Sequence, residues 1–485
     1  MINLRRSLVI NFLSSTGGTI AQFFTSLILA RMLSPSEIGV FSITIVFVNI
    51  AHIFRDFGVA TYLQREEHLT PEKIRAAIGV LVTTSWVIAV ALFVASTWIA
   101  IWFKEPTIAP VMRVLALGFI FIPFGAVTHA LLTREFAADK QAIVMVAGTV
   151  SYVATCLGLA ALGFGTMSLA WANLVNIIVC AIAYMPLRPK GIPVLPSFRH
   201  WGAVVKFGVG SLVTNTASSL NNAVPDMLLG KLSGAQHVGL FSRANSTVGI
   251  FSYIAGSTIN YGAVSYVSQT HHRGESLTPL LNRAAALLTG LGWPILAATA
   301  ILGREIVLAL YGAKWLDAVP AIPALAISGA LGMTFNYTHT ALTALGRPYL
   351  SAVPTTVTFL IRVLCGWAFF DGTLVTFSWA ICAATAVTIP VLLMQHHRYL
   401  AYPTSSLLKA LTPSALVTVI CVAACFLLRL VLPTHFPPLL YLLIIGVPLM
   451  VIWYGALRVT RHPLLVEVHH FYDAIETRIK SVFST

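Results

Sequence analysis

Long apolar segments follow one another along almost the whole chain. Fourteen of them are long enough, at roughly 20 residues, to cross a hydrocarbon core of about 30 Å as helices. They cover residues 8–30, 38–63, 76–103, 109–132, 142–163, 166–187, 204–230, 238–262, 281–302, 320–344, 350–370, 374–394, 410–431 and 438–459. Charged residues make up 9 % of the chain, whereas soluble domains carry roughly 25 %. The sequence therefore predicts an all-α integral membrane protein with about fourteen transmembrane helices.

Positive charge sets the predicted orientation of these spans. Successive loops between the spans lie on alternating sides of the membrane. With this assignment, most of the 30 Lys and Arg residues lie on the same side as the N-terminus. Loops rich in Lys and Arg stay in the cytoplasm, so we expect both termini there. The net charge of +14 fits the anionic inner leaflet, and it gives no indication of nucleic-acid binding.

One short phrase occurs twice, 200 residues apart. Residues 29–42 read LARMLSPSEIGVFS and residues 229–242 read LGKLSGAQHVGLFS, with Arg31 aligned on Lys231. Six predicted spans separate the two copies, so both copies cross the membrane in the same direction. Such a parallel repeat predicts two similar six-helix lobes related by an axis along the membrane normal, with a substrate site between them.

The repeat also predicts the domain boundaries. The first lobe covers residues 1–187 and the second covers residues 204–400, joined by a basic, proline-containing cytoplasmic linker at 188–203. Two further spans occupy residues 401–460. A cytoplasmic tail follows at 461–485.

Ionisable side chains inside the predicted spans are candidate functional groups, because each costs at least about 2.5–3.5 kcal/mol in a bilayer. Guanidinium groups can hold a diphosphate through two parallel hydrogen bonds, and amides suit sugar hydroxyls. The alternative is that such residues reach the interface or join neighbouring helices. The predicted substrate-binding residues are Arg55, Arg362, Arg31, Lys231, Asp56, Asn215 and Asn222.

No pattern in the sequence indicates catalysis or a bound metal. The three His pairs at 271–272, 396–397 and 469–470 have no nearby partners at ligand spacing, and the six cysteines lie in apolar runs. We predict neither a catalytic residue nor a cofactor. Coupling to Na⁺ or H⁺ stays open, with Asp226 and Asp56 as the candidate ion sites.

Several segments carry a family resemblance. They are LARMLSPSEIGVFS, FRDFGVATYLQRE at 54–66, ALLTREF at 130–136, LYGAKWLDAVPAI at 310–322 and ALTALGRP at 341–348. Their order and spacing, over roughly residues 5–400, resemble the Wzx-like polysaccharide transport branch of the multidrug/oligosaccharidyl-lipid/polysaccharide (MOP) exporter superfamily.

The resemblance implies a V-shaped, fourteen-helix flippase in the bacterial inner membrane. Such a protein moves undecaprenyl-diphosphate-linked oligosaccharide repeat units to the periplasmic leaflet by alternating access between the lobes. The pathway would be exopolysaccharide or lipopolysaccharide biosynthesis. A polysaccharide polymerase and glycosyltransferases of that pathway would be its partners, and the protein itself would not be an enzyme.

Three other functions remain open from the sequence. A peptidoglycan lipid-precursor flippase would share a cationic cavity. A multidrug or metabolite exporter of the same superfamily would favour acidic and aromatic cavity residues. A membrane-embedded glycan polymerase or ligase would need a catalytic acid or a large outer loop, and the predicted outer loops here are short.

Overall fold

The computed structural model describes residues 2–56, 58–189, 191–193, 195–198, 201–260, 267–270, 273–433 and 436–469. Side chains are described for these residues except at 2–9, 11–13, 15, 56, 65, 203–218, 251–260 and 348. The regular structure of this described part is helical throughout. The predicted all-α fold class is confirmed.

Nine α-helices cover the first half of the chain. They are α1 (Ile2–Met32), α2 (Pro35–Asp56), α3 (Val59–Arg65), α4 (Pro71–Phe103), α5 (Ile108–Arg134), α6 (Ala138–Ala161), α7 (Thr166–Tyr184), α8 (Gly202–Ser233) and α9 (Ala235–Asn260).

The second half continues in the same way. Its helices are α10 (Thr278–Ile301), α11 (Gly303–Leu310), a 3₁₀ helix (Ala313–Ala321), α12 (Ile322–Thr334), α13 (Tyr337–Ala344), a 3₁₀ helix (Pro348–Ser351), α14 (Ala352–Ala368), α15 (Leu374–Tyr399), α16 (Thr404–Val431) and α17 (Pro438–Val459).

Eleven helical segments of the described residues are long and apolar enough to cross a membrane, so the chain is a multi-pass membrane protein. Helices α1, α8 and α9 contain 31, 32 and 26 residues and coincide with the first, seventh and eighth predicted spans. The total of fourteen stays a prediction.

One predicted span is wrong at its second end. The apolar pattern predicts a single span over residues 38–63, but α2 ends at Asp56 and α3 begins at Val59. Between them Gly58 has a φ of 68°, a left-handed conformation that ends a helix and that glycine adopts without steric cost. The span is therefore shorter, and the chain turns before α3.

The chain forms two compact units, residues Met1–Leu240 and Phe241–Thr485. Their border falls inside α9, so α8 belongs to the first unit. There α8 packs on α2 and α4, and a Cβ added to Gly230 would lie 2.9 Å from Ile43 and 3.0 Å from Phe103. The lobe boundaries at 187 and 204 stay a prediction.

The two copies of the repeated phrase form equivalent corners between helices. The first joins α1 to α2 and the second joins α8 to α9. In the first copy Ser34 and Glu37 form a reciprocal cap. The Ser34 N–H donates to Glu37 Oε2 at 2.7 Å, and the Glu37 N–H donates to Ser34 Oγ at 3.3 Å. The second copy instead turns at Gly234, whose φ is 84°.

The two copies also contact each other through glycine. A Cβ on Gly39 would lie 1.7 Å from the carbonyl oxygen of Ala235, and a Cβ on Gly239 would lie 1.8 Å from that of Pro35. In each contact, a glycine of one copy lies against the residue that begins α2 or α9 in the other copy. The contact between the copies is therefore reciprocal. Only glycine at both positions allows the two backbones to approach this closely.

Substitution Gly39→Ala tests this contact. The new methyl group would overlap the Ala235 carbonyl, so we expect a loss of about 1–3 kcal/mol in the free energy of unfolding, typical of overpacking. Thermal unfolding in detergent measures the loss. We also expect the distance between spin labels at the exposed residues Ser36 and Gln236 to increase. Gly158→Ala is the control, because nothing lies within 4 Å of its added Cβ. Equal behaviour of the two variants would contradict the close contact.

A buried imidazole holds the segment that follows α17. His462 is 1 % exposed. The Leu464 N–H donates to His462 Nδ1 at 3.0 Å, which leaves Nε2 as the protonated nitrogen that donates to Ser414 Oγ at 2.9 Å. Ser414 Oγ lies 2.8 Å from Thr289 Oγ1. This network connects α10, α16 and the end of α17 while His462 stays neutral.

Burial lowers the pKa of His462 from 6.5 to about 4. Between these values the unfolded chain binds a proton that the folded chain excludes, so this contribution to stability is complete above pH 6.5 and falls as the pH drops towards 4. We expect thermal midpoints measured from pH 7.5 to 4 to fall less steeply for His462→Asn, which cannot titrate. His339→Asn, at an exposed imidazole, should keep the slope of the unmodified protein. If the thermal midpoint of His462→Asn depended on pH as steeply as that of the unmodified protein, His462 would not be the source of the pH dependence.

Candidate functional site

Two of the family-like segments contact each other in the first unit. The Arg134 guanidinium, from ALLTREF, donates to the carbonyl oxygens of Leu63 at 3.1 Å and Glu67 at 3.2 Å, and also to that of Glu66. These carbonyls lie at the end of α3, where a helix leaves acceptors without intrahelical partners. Arg134 therefore caps α3 and joins it to α5.

Arg55 lines an open cavity of about 240 Å³ whose other walls come from α5 and α7. The polar lining residues are Arg55, His129, Asn176 and Tyr184. The others are small or apolar: Ile122, Gly125, Ala126, Ile177, Cys180 and Ala181. None of these ten lining residues is acidic, and Arg55 is cationic.

The end of α2 is fixed by contacts with two neighbouring helices. The Thr84 hydroxyl of α4 donates to the Arg55 carbonyl oxygen at 3.1 Å. One turn earlier, His52 stacks on Phe119 of α5 with ring centroids 4.6 Å apart. These contacts hold the backbone of Arg55 at the wall of the cavity.

The opposite wall depends on a glycine. A Cβ on Gly125 would lie 2.9 Å from the ring of Tyr184, so its absence lets α7 approach α5. The Tyr184 hydroxyl is then 3.0 Å from His129 Nδ1. Gln141 Nε2 donates to the His129 carbonyl oxygen at 3.2 Å. The Arg55 guanidinium, His129 imidazole, Tyr184 phenol and Asn176 carboxamide thus line one space. Such a set suits phosphate oxygens and sugar hydroxyls.

Sequence reasoning did not select His129, Asn176 or Tyr184 as binding residues. The one signal for His129 is a weak internal similarity, since Thr128-His129 in the first half resembles Thr338-His339 in the second. Asn176 is an amide within an apolar run, which is the signal that could have identified it. Tyr184 carries no such signal, since a tyrosine near the end of a span is ordinarily an interfacial anchor.

Lys231 lies far from this cavity. Its ammonium group donates to the Trp102 carbonyl oxygen at 2.7 Å and lies 5.0 Å from the centroid of that ring. Trp102 follows Thr84, the α4 contact of Arg55, by 18 residues, or about 27 Å of helix. The structure therefore does not bring Lys231 and Arg55 together.

The other predicted site residues occupy separate places. Arg31 is exposed at the end of α1, Asn222 is exposed in α8, and Asp226 is half-buried in α8. Arg362 is half-buried in α14 of the second unit. The side chains of Asp56 and Asn215 lie outside the described residues. The binding roles of all these residues stay predictions.

The described residues contain no group of three or more His, Cys, Asp and Glu side chains that could hold a metal ion. The cysteines are free thiols. Ion coupling through Asp226 or Asp56 stays a prediction.

Comparison with known proteins identifies the family. The profile of the polysaccharide biosynthesis protein family matches residues 28–320, more than half of the chain. The chain belongs to this family.

Relatives with assigned roles extend beyond the matched region. The chain is 25 % identical over 388 residues to the succinoglycan biosynthesis transport protein ExoT of Rhizobium meliloti, covering 78 % of this chain and 76 % of that protein. It is 22 % identical over 329 residues to the lipopolysaccharide biosynthesis protein WzxC of Escherichia coli, covering 67 % and 66 %.

Solved structures show the same fold. The lipid II flippase MurJ in an inward closed conformation matches with a TM-score of 0.75 at 14 % identity, over 93 % of this chain and 99 % of that one. An inward-facing multidrug resistance MATE transporter of the MOP superfamily matches with a TM-score of 0.63 at 15 % identity, over 81 % and 96 %. The predicted MOP-type fold is confirmed.

Substitution Arg134→Gln tests the structural role of the ALLTREF segment. Loss of the charged donor leaves carbonyls at the end of α3 without their partner, so we expect the free energy of unfolding to fall by about 1.5–3 kcal/mol. Arg304→Gln, at an exposed position, should change stability by less than about 0.5 kcal/mol. Thermal unfolding in one detergent compares the two. Similar midpoints would show that Arg134 does not cap α3.

Proposed function

We propose that this protein is a flippase for polyprenyl-diphosphate-linked oligosaccharide repeat units of exopolysaccharide or lipopolysaccharide biosynthesis. The observation that carries the proposal is the Arg55 cavity, which offers a cation and several hydrogen-bond donors without an acidic lining residue. The fold shared with MOP transporters and the names of the polysaccharide relatives support it.

The chemistry of the substrate fits this cavity. A diphosphate carries about two negative charges, and the planar Arg55 guanidinium can donate two parallel hydrogen bonds to its oxygens. Tyr184, Asn176 and His129 offer further polar groups to the first sugars. The small volume of the cavity, about 240 Å³, suits the headgroup next to the lipid rather than a complete oligosaccharide.

The membrane potential favours translocation of an anionic substrate from the cytoplasm outward. With the cytoplasm negative, each anionic charge that moves outward gains about 2.3 kcal/mol per 100 mV. Two charges on the diphosphate thus favour outward translocation without ATP. Coupling to Na⁺ or H⁺ at Asp226 or Asp56 is an additional part of the proposal.

Alternating access between the two lobes completes the proposed mechanism. We place the protein in the bacterial inner membrane with both termini in the cytoplasm, beside the polymerase and glycosyltransferases of its pathway.

The alternatives receive less support. A multidrug exporter of cationic compounds would need acidic groups, and the lining of the Arg55 cavity has none. The likeness to the lipid II flippase at 14 % identity concerns the fold alone. A glycan polymerase or ligase receives no support from the relatives, among which ExoT is named as a transport protein.

Substitution of Arg55 tests the proposal. In cells that depend on this chain, we expect Arg55→Gln to lower outward translocation of the lipid-linked oligosaccharide by about 10- to 100-fold, from the loss of hydrogen bonds to a charged group. Arg55→Lys keeps the positive charge but loses the planar guanidinium. Its translocation rate should therefore lie between those of Arg55→Gln and the unmodified protein. Labelling of externally accessible oligosaccharide measures translocation, and immunoblotting confirms equal protein.

Arg304→Gln is the matched control, since it removes one exposed guanidinium and should leave translocation unchanged. Full translocation by Arg55→Gln at normal protein levels would exclude the Arg55 cavity from the transport path.

A further inference from the structure

A second cavity, of about 560 Å³, lies in the second unit where α10 and α16 begin and the chain leaves α17. Its volume is in the range of roughly 300–1,000 Å³ that small-molecule sites occupy. The polar part of its lining is Asn282, Arg283 and Lys409, and the apolar part is Pro279, Ala286, Ala410, Pro413, Pro463 and Val466. Two of these nine residues are cationic and none is acidic.

The cavity lies at the ends of membrane-spanning helices, which is where lipid headgroups contact a membrane protein. Helices α10, α16 and α17 are all long and apolar enough to span a membrane. Arg283 and Lys409 each follow the first residue of their helix by five positions, so both are within about 8 Å of the helix start. Leu408, next to Lys409, and Val466 are 61 % and 51 % exposed. Cations and exposed apolar side chains thus occur side by side, as a phospholipid requires.

An acidic side chain of the protein already contacts one of these cations. The Glu467 carboxylate forms an ion pair with Arg283, with side-chain exposures of 42 % and 57 %. An ion pair this exposed contributes little to stability, so another anion can replace the carboxylate. The Tyr402 hydroxyl donates to Asn282 Oδ1 at 2.6 Å, which fixes this amide and leaves its NH₂ group as the donor that it can offer.

We propose that this cavity binds the phosphate headgroup of an anionic phospholipid from the leaflet that we predict to be cytoplasmic. Arg283 and Lys409 contact the phosphate oxygens, and the acyl chains lie along the exposed apolar surface of Leu408 and Val466. Glu467 is a competing anion within the chain. This lipid site is separate from the Arg55 cavity, and it does not depend on which molecule the protein transports.

Native mass spectrometry of the full-length protein in detergent tests the proposal. The probes are phosphatidylglycerol and phosphatidylcholine with identical acyl chains, and phosphatidylglycerol should bind more tightly. Each basic side chain near an anionic lipid contributes roughly fivefold, so R283Q/K409Q should weaken phosphatidylglycerol binding by about 25-fold. K140Q/R273Q removes the same two charge types at exposed positions and should bind as the unmodified protein does.

Glu467→Gln gives a result in the opposite direction. Removal of the competing carboxylate should strengthen phosphatidylglycerol binding, an outcome that a poorly folded variant would not produce. The proposal fails if phosphatidylcholine binds equally well, or if K140Q/R273Q loses as much affinity as R283Q/K409Q, which would reveal a general effect of net charge. Displacement of the lipid by an equal concentration of inorganic phosphate would also overturn it, because the site would then recognise a free anion.

Discussion

The hydrocarbon core of a membrane offers no hydrogen bonds to the backbone, and the rest of this structure depends on that constraint. This chain meets the constraint with helices, which satisfy their own backbone groups, and each place where a helix ends needs partners for its last carbonyl groups. The break between α2 and α3 shows how these partners arise. The Thr84 hydroxyl donates to the Arg55 carbonyl oxygen, and the Arg134 guanidinium donates to carbonyls at the end of α3. A glycine at position 58 makes the turn itself possible.

The sequence predicted the features that follow from this constraint and from symmetry. Apolar length located the spans, and the 200-residue repeat located two equivalent corners between helices. It did not predict that Gly39 and Gly239 contact each other. A repeated sequence indicates that two segments have equivalent positions in the fold, but it does not indicate that they are close in space. The sequence also missed the break at Gly58, because the apolar pattern continues through Val59, Ala60 and Leu63. The helix ends here because of the backbone conformation of Gly58. A count of apolar residues carries no information about that conformation.

The candidate site was predictable only in part, and for a related reason. An arginine in an apolar segment is rare enough to be noticed, so Arg55 was selected directly. His129, Asn176 and Tyr184 come from two other helices, and they join Arg55 only because Gly125 lets α7 approach α5. One sequence without its packing cannot show which helix faces meet. The same limit explains Lys231, whose place in the repeat matched Arg31 but whose contacts are with Trp102.

A common rule separates the cations that support the fold from those that can bind a ligand. Arg134 and Lys231 donate to backbone carbonyl oxygens near helix ends, where acceptors without intrahelical partners are available. Arg55 and Arg283 line cavities, and Arg283 also forms an ion pair with Glu467. A guanidinium close to unpaired carbonyls is held by the protein itself, whereas one beside a cavity can exchange its contacts for those of an anion. Residue type and depth in the membrane are therefore not enough to assign a function to a cation. The assignment also needs the groups that surround the cation in the folded chain.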